Sequence, residues 1–108
     1  MAEPKYTDLK ITDDEIELDS AGIPVQIHDR DVIAQDVRHM IRESGLLPLL
    51  VAERSRDMRG LILKRVRMLI ETDQRIVPGS TEITEPYPGQ YNITAESEFG
   101  KIAVGASA

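Results

Sequence analysis

The sequence predicts an α+β domain in which two helices pack on a small, mostly antiparallel sheet, with strands at both ends of the chain. Three observations predict it. Residues 7 to 18 alternate apolar and polar with the period of a strand, residues 31 to 72 switch to a helical period, and residues 75 to 104 return to strand chemistry. A length of 108 residues suits one domain over 1-108, with an ordered core expected at about 6-104.

At the start, Thr7, Leu9 and Ile11 alternate with Asp8, Lys10 and Thr12, and Ile16 and Leu18 alternate with Glu15, Glu17 and Asp19. Both stretches read as half-buried strands joined by the polar turn Thr12-Asp13-Asp14-Glu15. Ser20 to Pro24 breaks the pattern, and Val25-Gln26-Ile27 forms a third short extended piece. A helix follows from about Asp31 to Ser44, because Ile33, Val37, Met40 and Ile41 share one face and Asp29 or Asp31 can cap its start. Gly45 and Pro48 end it, leaving Leu46 to Val51 as an apolar connector.

The second helix runs from about Ser55 to Thr72, with Ser55 as cap, Asp57 in the first turn and a stripe of Met58, Ile62, Val66 and Leu69. Leu61, Leu63 and Ile70 widen that stripe, which makes this helix the expected centre of the core. Arg75-Ile76-Val77 then leads into a Pro78-Gly79 turn, and Thr81 to Thr84 resumes extended alternation. Glu85 to Gly89, with two prolines, reads as a loop. Tyr91, Ile93 and Ala95 face one side of a strand, Phe99 to Val104 makes a last strand interrupted by Gly100, and Gly105 to Ala108 is expected to fray.

Composition removes several chemistries. Without Cys there is no thiolate nucleophile, thiolate metal site or disulfide framework. No apolar run approaches the length of a membrane span, and the first residues lack the basic start and apolar stretch of a secretory leader. His28 and His39 have no metal-ligand spacing, Asp13-Asp14-Glu15 lacks the calcium-loop pattern, and no Gly-rich phosphate loop, dinucleotide fingerprint or GxSxG is present. The reading is therefore of a non-enzyme without cofactor or metal. A glycosidase needs two carboxylates across a cleft with aromatic platforms, yet Trp is absent and the rings are Tyr6, Tyr87, Tyr91 and Phe99. Glu53 is the carboxylate such an activity would need.

The net charge of -6 is unevenly spread. Residues 1 to 31 hold nine acids and three bases, residues 32 to 70 four and eight, and residues 71 to 108 six and two, giving -6, +4 and -4. Six of the 13 bases lie between Arg54 and Arg67, five of them Arg. That stretch suits carboxylates and carbonyls of a protein partner better than nucleic acid, because acids outnumber bases overall and few rings are available for base stacking. A small nucleic-acid-binding module using the basic helix 54-67 is the alternative.

Several residues together resemble a known family. Ile33-Ala34-Gln35-Asp36-Val37, then Ala52-Glu53-Arg54 with Gly60 six residues on, a long helix, and a short Asp-x-Arg-Ile element opening a β segment are similar to the gene-25-like baseplate wedge proteins of contractile phage tails, closest to small uncharacterised proteins of P2-like phages. Position by position, Gln35 matches a recurrent Gln of the first helix, Glu53 and Arg54 match the end of a Gly-Glu-Arg triplet, and Gly60 matches a later Gly. Asp73-Gln74-Arg75 stands where the family carries Glu-Pro-Arg. Two positions depart, Ala52 for Gly and Gln74 for Pro, and Gln74 lacks proline's fixed φ.

The resemblance implies a structural baseplate component that links wedge proteins around the tube and templates the sheath, within a six-fold hetero-oligomer. The expected partners are other wedge proteins and the tail sheath protein. It places the chain in the bacterial host cytoplasm during assembly and then in the virion tail baseplate. Arg75 with Asp73 is the expected partner-binding pair, since an Arg held by a nearby acid meets a partner with little side-chain entropy left to lose. Gln74 lies between them, Gln35 is a further partner-binding candidate, and Glu53 with Arg54 is expected to support the pair. Arg75→Glu is expected to leave the fold cooperative and abolish incorporation into particles. An exposed strand edge offers a second mode of attachment.

Overall fold

The computed structural model describes residues 3 to 107. In chain order the elements are β1 (Thr7–Leu9), β2 (Ile11–Thr12), β3 (Glu15–Ile16), β4 (Gln26–His28), α1 (Arg30–Ser44), α2 (Leu46–Ala52), α3 (Arg56–Ile70), β5 (Glu82–Tyr87), β6 (Gln90–Ser97) and β7 (Gly100–Ser107). This corrects the expectation of two helices on one sheet. Among the described residues there are three helices, and the strands form three sheets: β1 with β4, β2 with β3, and β5-β6-β7.

The extra helix is the stretch expected to be a connector. Gly45 adopts the left-handed conformation at φ 68, ending α1 and turning the chain directly into α2. Pro48 is the third residue of α2, where the backbone N–H would have no intrahelical acceptor, so its missing donor costs nothing there. The same residue that forbids continuation of α1 is admitted at the start of α2. Leu47 and Leu50 of this short helix are buried.

The first four strands form a separate arm because their hydrogen bonds close on themselves. Lys10 N–H donates to the Val25 carbonyl, Val25 N–H to Glu17, and Glu17 N–H to Lys10. The β2-β3 turn is made by Asp13 and Asp14, both at positive φ, a conformation that Asp tolerates. At Ile16 and Leu18 the alternation does not mark burial, since they are 48% and 56% exposed. Asp29 precedes α1 without capping it by a side-chain bond; its carboxylate instead accepts the N–H groups of Lys5 and Tyr6 at 2.8 and 2.9 Å.

The main sheet is an antiparallel meander with α1 on its inner face. Tyr91, Ile93 and Ala95 of β6 and Ile102 and Val104 of β7 form one core with Ile33, Val37 and Ile41 of α1, the two buried leucines of α2, and Ile62, Val66 and Ile70 of α3. The core centres on α1 rather than on α3. One side of α3 stays open, with Met58, Leu61 and Met68 exposed, although its extent and its Ser55 cap, which accepts the Met58 N–H, agree with the sequence.

Two further expectations are revised at the sheet. The Pro-rich stretch is not wholly a loop, because β5 continues to Tyr87 across a register irregularity between Thr84 and Tyr87. Pro86 fits there because β5 is an edge strand and the irregularity relieves the missing donor. The small-residue tail pairs in register with β6 as far as Ser107, opposite Gln90, rather than fraying. Its last residue, Ala108, lies outside the described residues.

Candidate partner-binding site at the helix-to-strand junction

After α3 the chain makes a tight polar turn. Asp73 accepts the Arg75 backbone N–H through Oδ1 at 2.9 Å, an Asx-type turn that sets the direction in which Arg75 leaves. The Arg75 guanidinium then folds back on the same carboxylate, Nε donating to Oδ1 at 2.9 Å and Nη2 to Oδ2 at 2.6 Å. The same Nη2 also donates to Oδ2 of Asp36 at 2.9 Å. Arg75 thus ties the exit of α3 to α1. Its backbone carbonyl accepts the Glu98 N–H, which holds the β6-β7 turn beside it.

An aromatic lid completes the arrangement. The Tyr6 ring lies 5.2 Å from the guanidinium carbon, and Phe99 meets Tyr6 edge-on with centroids 5.8 Å apart. The Arg75 side chain is 19% exposed and that of Asp73 is 15% exposed. Bonding to Asp73 first, and then to Asp36, holds the guanidinium above its ordinary pKa against the opposing effect of partial burial. The Asp73 carboxyl is held below its ordinary value, chiefly by the Arg75 side chain and also by its backbone N–H, against the opposing effect of burial. Nε and Nη2 are engaged, and Nη1 meets no acceptor among the described residues. That edge carries the donors of the guanidinium that no group of the described residues uses.

The depressed Asp73 carboxyl has a signed consequence. A group whose folded pKa lies below its unfolded value contributes stability in full above about pH 4 and loses it as pH falls through the folded value. Urea unfolding from pH 7 down to about pH 2 should therefore show a steeper loss of midpoint in the wild type than in Asp73→Asn. Equal slopes would mean that the pair contributes nothing linked to protons.

The remaining sequence candidates lie elsewhere. Gln74 is exposed between the paired residues. Gln35 is buried at 4% exposure, and both ends of its amide bond the arm: Oε1 accepts the Ile11 N–H at 2.8 Å and Nε2 donates to the Leu9 carbonyl at 2.9 Å. It clamps the arm to α1, and its burial keeps the amide from the surface. Glu53 accepts the N–H groups of Arg54 and Ser55 through Oε1, bracing the α2-α3 loop, while Arg54 is exposed. Both residues precede α3 whereas Arg75 follows it, and 15 helical residues separate the two ends by about 22 Å. They do not support the Arg75 pair.

Arg59, rather than Arg54, is the arginine bonded within the α2-α3 connection. Its Nη1 donates to the carbonyls of Leu50 and Glu53, and its Nη2 to Glu85 at 3.1 Å. The Glu85 carboxyl is lowered first by the neighbouring Tyr91 hydroxyl, then by the Gly89 N–H, with Arg59 contributing less. That hydroxyl is buried and makes no bond of full hydrogen-bond geometry among the described residues. A Cβ at Gly60 would meet open space, and nothing in the structure explains the glycine there.

Sequence reasoning missed Asp36, Tyr6 and Phe99. Asp36 had a visible signal, since it adjoins Gln35 on the edge of the buried face of α1. The aromatic pair had none, because Tyr6 and Phe99 meet only after the arm and the β6-β7 turn converge. Among the described residues no helix is long and apolar enough to cross a membrane, and no group of three His, Asp or Glu is placed to hold a metal ion.

Fold and site together define a small α+β protein in which an arginine just after α3 is bonded to two carboxylates and covered by an aromatic ring. The chain belongs to the DUF2590 family, described as protein of unknown function, which it matches over residues 7–105. It is 46% identical over 101 residues to an uncharacterized 12.7 kDa protein in the lys 3'region of Haemophilus phage HP1 (strain HP1c1), covering 93% of this chain and 91% of that relative. No solved structure matches it. The family therefore includes a phage-encoded protein, and these matches carry no baseplate, wedge or sheath identity.

Proposed function

We propose that the chain is a non-enzymatic structural component of a phage contractile-tail baseplate, linking wedge proteins around the tube and templating sheath assembly. The observation that carries this reading is the Arg75 arrangement. Three bonds and an aromatic lid fix the guanidinium while leaving Nη1 without an acceptor among the described residues, so a partner carbonyl or carboxylate gains a charge-assisted bond at little entropic cost. The phage-encoded relative supports the setting. On this reading the protein acts first in the bacterial host cytoplasm, then in the tail baseplate of the virion, within a six-fold hetero-oligomer and without a cofactor.

A second attachment follows from the sheet. The β5 edge is interrupted by Pro86, whereas β7 pairs with β6 over eight consecutive positions and carries one charge, Lys101, and no proline. In an antiparallel strand alternate residues point both backbone groups outward, so β7 presents an unbroken edge to which a strand of the sheath protein can add.

The alternative, nucleic-acid binding through the basic helix, is favoured by one observation. Of the six bases from Arg54 to Arg67, five form no ion pair among the described residues, the exception being Arg59. A single experiment separates the readings: capture of the tagged protein from cells expressing the surrounding tail genes, at low salt and at about 0.5 M salt, with mass spectrometry of what is retained. Retention of wedge or sheath proteins at both salts is expected. Recovery of nucleic acid alone, lost at high salt, would overturn the proposal.

A further inference from the structure

The side of α3 turned from the core keeps three large apolar side chains in water. Met58, Leu61 and Met68 are 46%, 46% and 61% exposed. With the exposed Arg65 they stand at i, i+3, i+7 and i+10, and at about 100° per residue the four share an arc of about 80°. That arc is centred about 120° from the line of Ile62, Val66 and Ile70, which faces the core. Alternating steps of three and four are the spacing of a helix seam, the row of side chains that meets another helix. The charge along this seam is mostly of one sign. Lys64, Arg65 and Arg67 are exposed and form no ion pair among the described residues, and Asp57 is the helix's sole acid.

We infer that this seam receives an acidic amphipathic helix of a different protein. The apolar row of that helix covers Met58, Leu61 and Met68, and its carboxylates pair with Lys64 and Arg65. The spacing selects a helix, and the unpaired bases select an acidic one. Arg65 stands within the apolar row rather than beside it, so covering the row takes its charge out of water, which is favourable only against a facing carboxylate. The helices of this chain do not supply such a partner. Among the described residues α1 exposes no large apolar side chain, α2 carries no charge, and α3 would set its bases against its own. Nucleic acid would use the bases and leave the three apolar side chains in water. A lipid surface binds in proportion to the apolar area it takes up, and three side chains along about 15 Å of helix offer little. The inference concerns a surface apart from the Arg75 junction and the β7 edge. It does not rest on the baseplate reading and stands or falls separately from it.

The probe is a synthetic helical peptide of three heptads with Leu at a and d and Glu at e and g, added to the full chain labelled at its methionine methyl groups. Methyl NMR then reads the face directly. The Met58 and Met68 signals should shift together and saturate below about millimolar peptide, while Met40, packed against the core, stays in place. The same peptide with Lys at e and g should bind at least about tenfold more weakly. Arg65→Glu, at an exposed position, should weaken the Glu peptide about tenfold or more by placing like charges together. Leu61→Asn should weaken it about threefold or more by removing apolar contact, with far-UV circular dichroism showing that α3 is kept. No saturable shift, equal binding of the Lys peptide, or either variant binding like the wild type would each overturn the inference. So would Met58 and Met68 shifts produced by a single-stranded oligonucleotide or by anionic phospholipid vesicles when the Glu peptide produces none.

Discussion

Arg75→Gln is expected to lower the unfolding free energy by about 2 to 3 kcal/mol, with Arg75→Lys recovering only part of it. The reason is the number of groups that depend on this one side chain. Removing the guanidinium leaves Asp73 and Asp36 facing one another with no cation between them, and Asp73 is only 15% exposed. Lysine restores the charge but not the fork, so it cannot satisfy both oxygens of Asp73 and reach Asp36 in one geometry. Arg75→Glu is worse than either, because it gathers three carboxylates where the fold holds two. That revises the expectation that charge reversal leaves the fold intact and makes it a poor test of partner binding. Urea denaturation of Arg75→Gln, Asp73→Asn and the double variant measures the coupling directly. A double variant as unstable as the sum of the singles would show that the two side chains are not coupled.

The chain shows unevenly how much of such an arrangement sequence can carry. Both long helices were legible within about one or two residues, because 15-residue elements repeat their apolar period several times and end on a serine cap and a left-handed glycine. The number of helices was not, because Pro48 signals a stop for one helix and a start for the next with equal force. The arm misled for another reason. Alternation at Ile16 and Leu18 marks a strand without saying whether anything covers it, and here the described residues leave about half of each exposed. At the site, Asp73 and Arg75 were legible because two residues bound through a local turn need no tertiary information. Asp36, 39 residues from Arg75 in sequence, became a partner only through the packing of α1 beside the exit of α3. Glu53 and Arg54 were read as neighbours of the pair although a whole helix separates them from it.

Gln35 shows where motif and geometry divide, and its variant makes the other large prediction. Gln35→Met keeps the length and much of the volume of the side chain while removing both hydrogen bonds to the arm. The Leu9 carbonyl and the Ile11 N–H then lose their partners in a partly buried setting, and an unmet polar group there costs about 1 to 3 kcal/mol. The expected result is a loss of about 2 to 4 kcal/mol, borne mainly by the arm. Hydrogen exchange at Ile11 should accelerate by orders of magnitude, while the amides of β6, deep in the main sheet, keep their protection relative to global unfolding. Gln35→Glu separates the two halves of the clamp: a carboxylate still accepts from Ile11 but turns a negative oxygen toward the Leu9 carbonyl, so it should rescue little. A partner-binding role for Gln35 predicts the opposite pattern, with normal stability and exchange but failed assembly. The arm also carries Tyr6, whose ring covers the Arg75 guanidinium. Loosening the arm therefore uncovers the arginine, and Gln35→Met and Arg75→Gln should be less than additive, since each removes part of what the other needs.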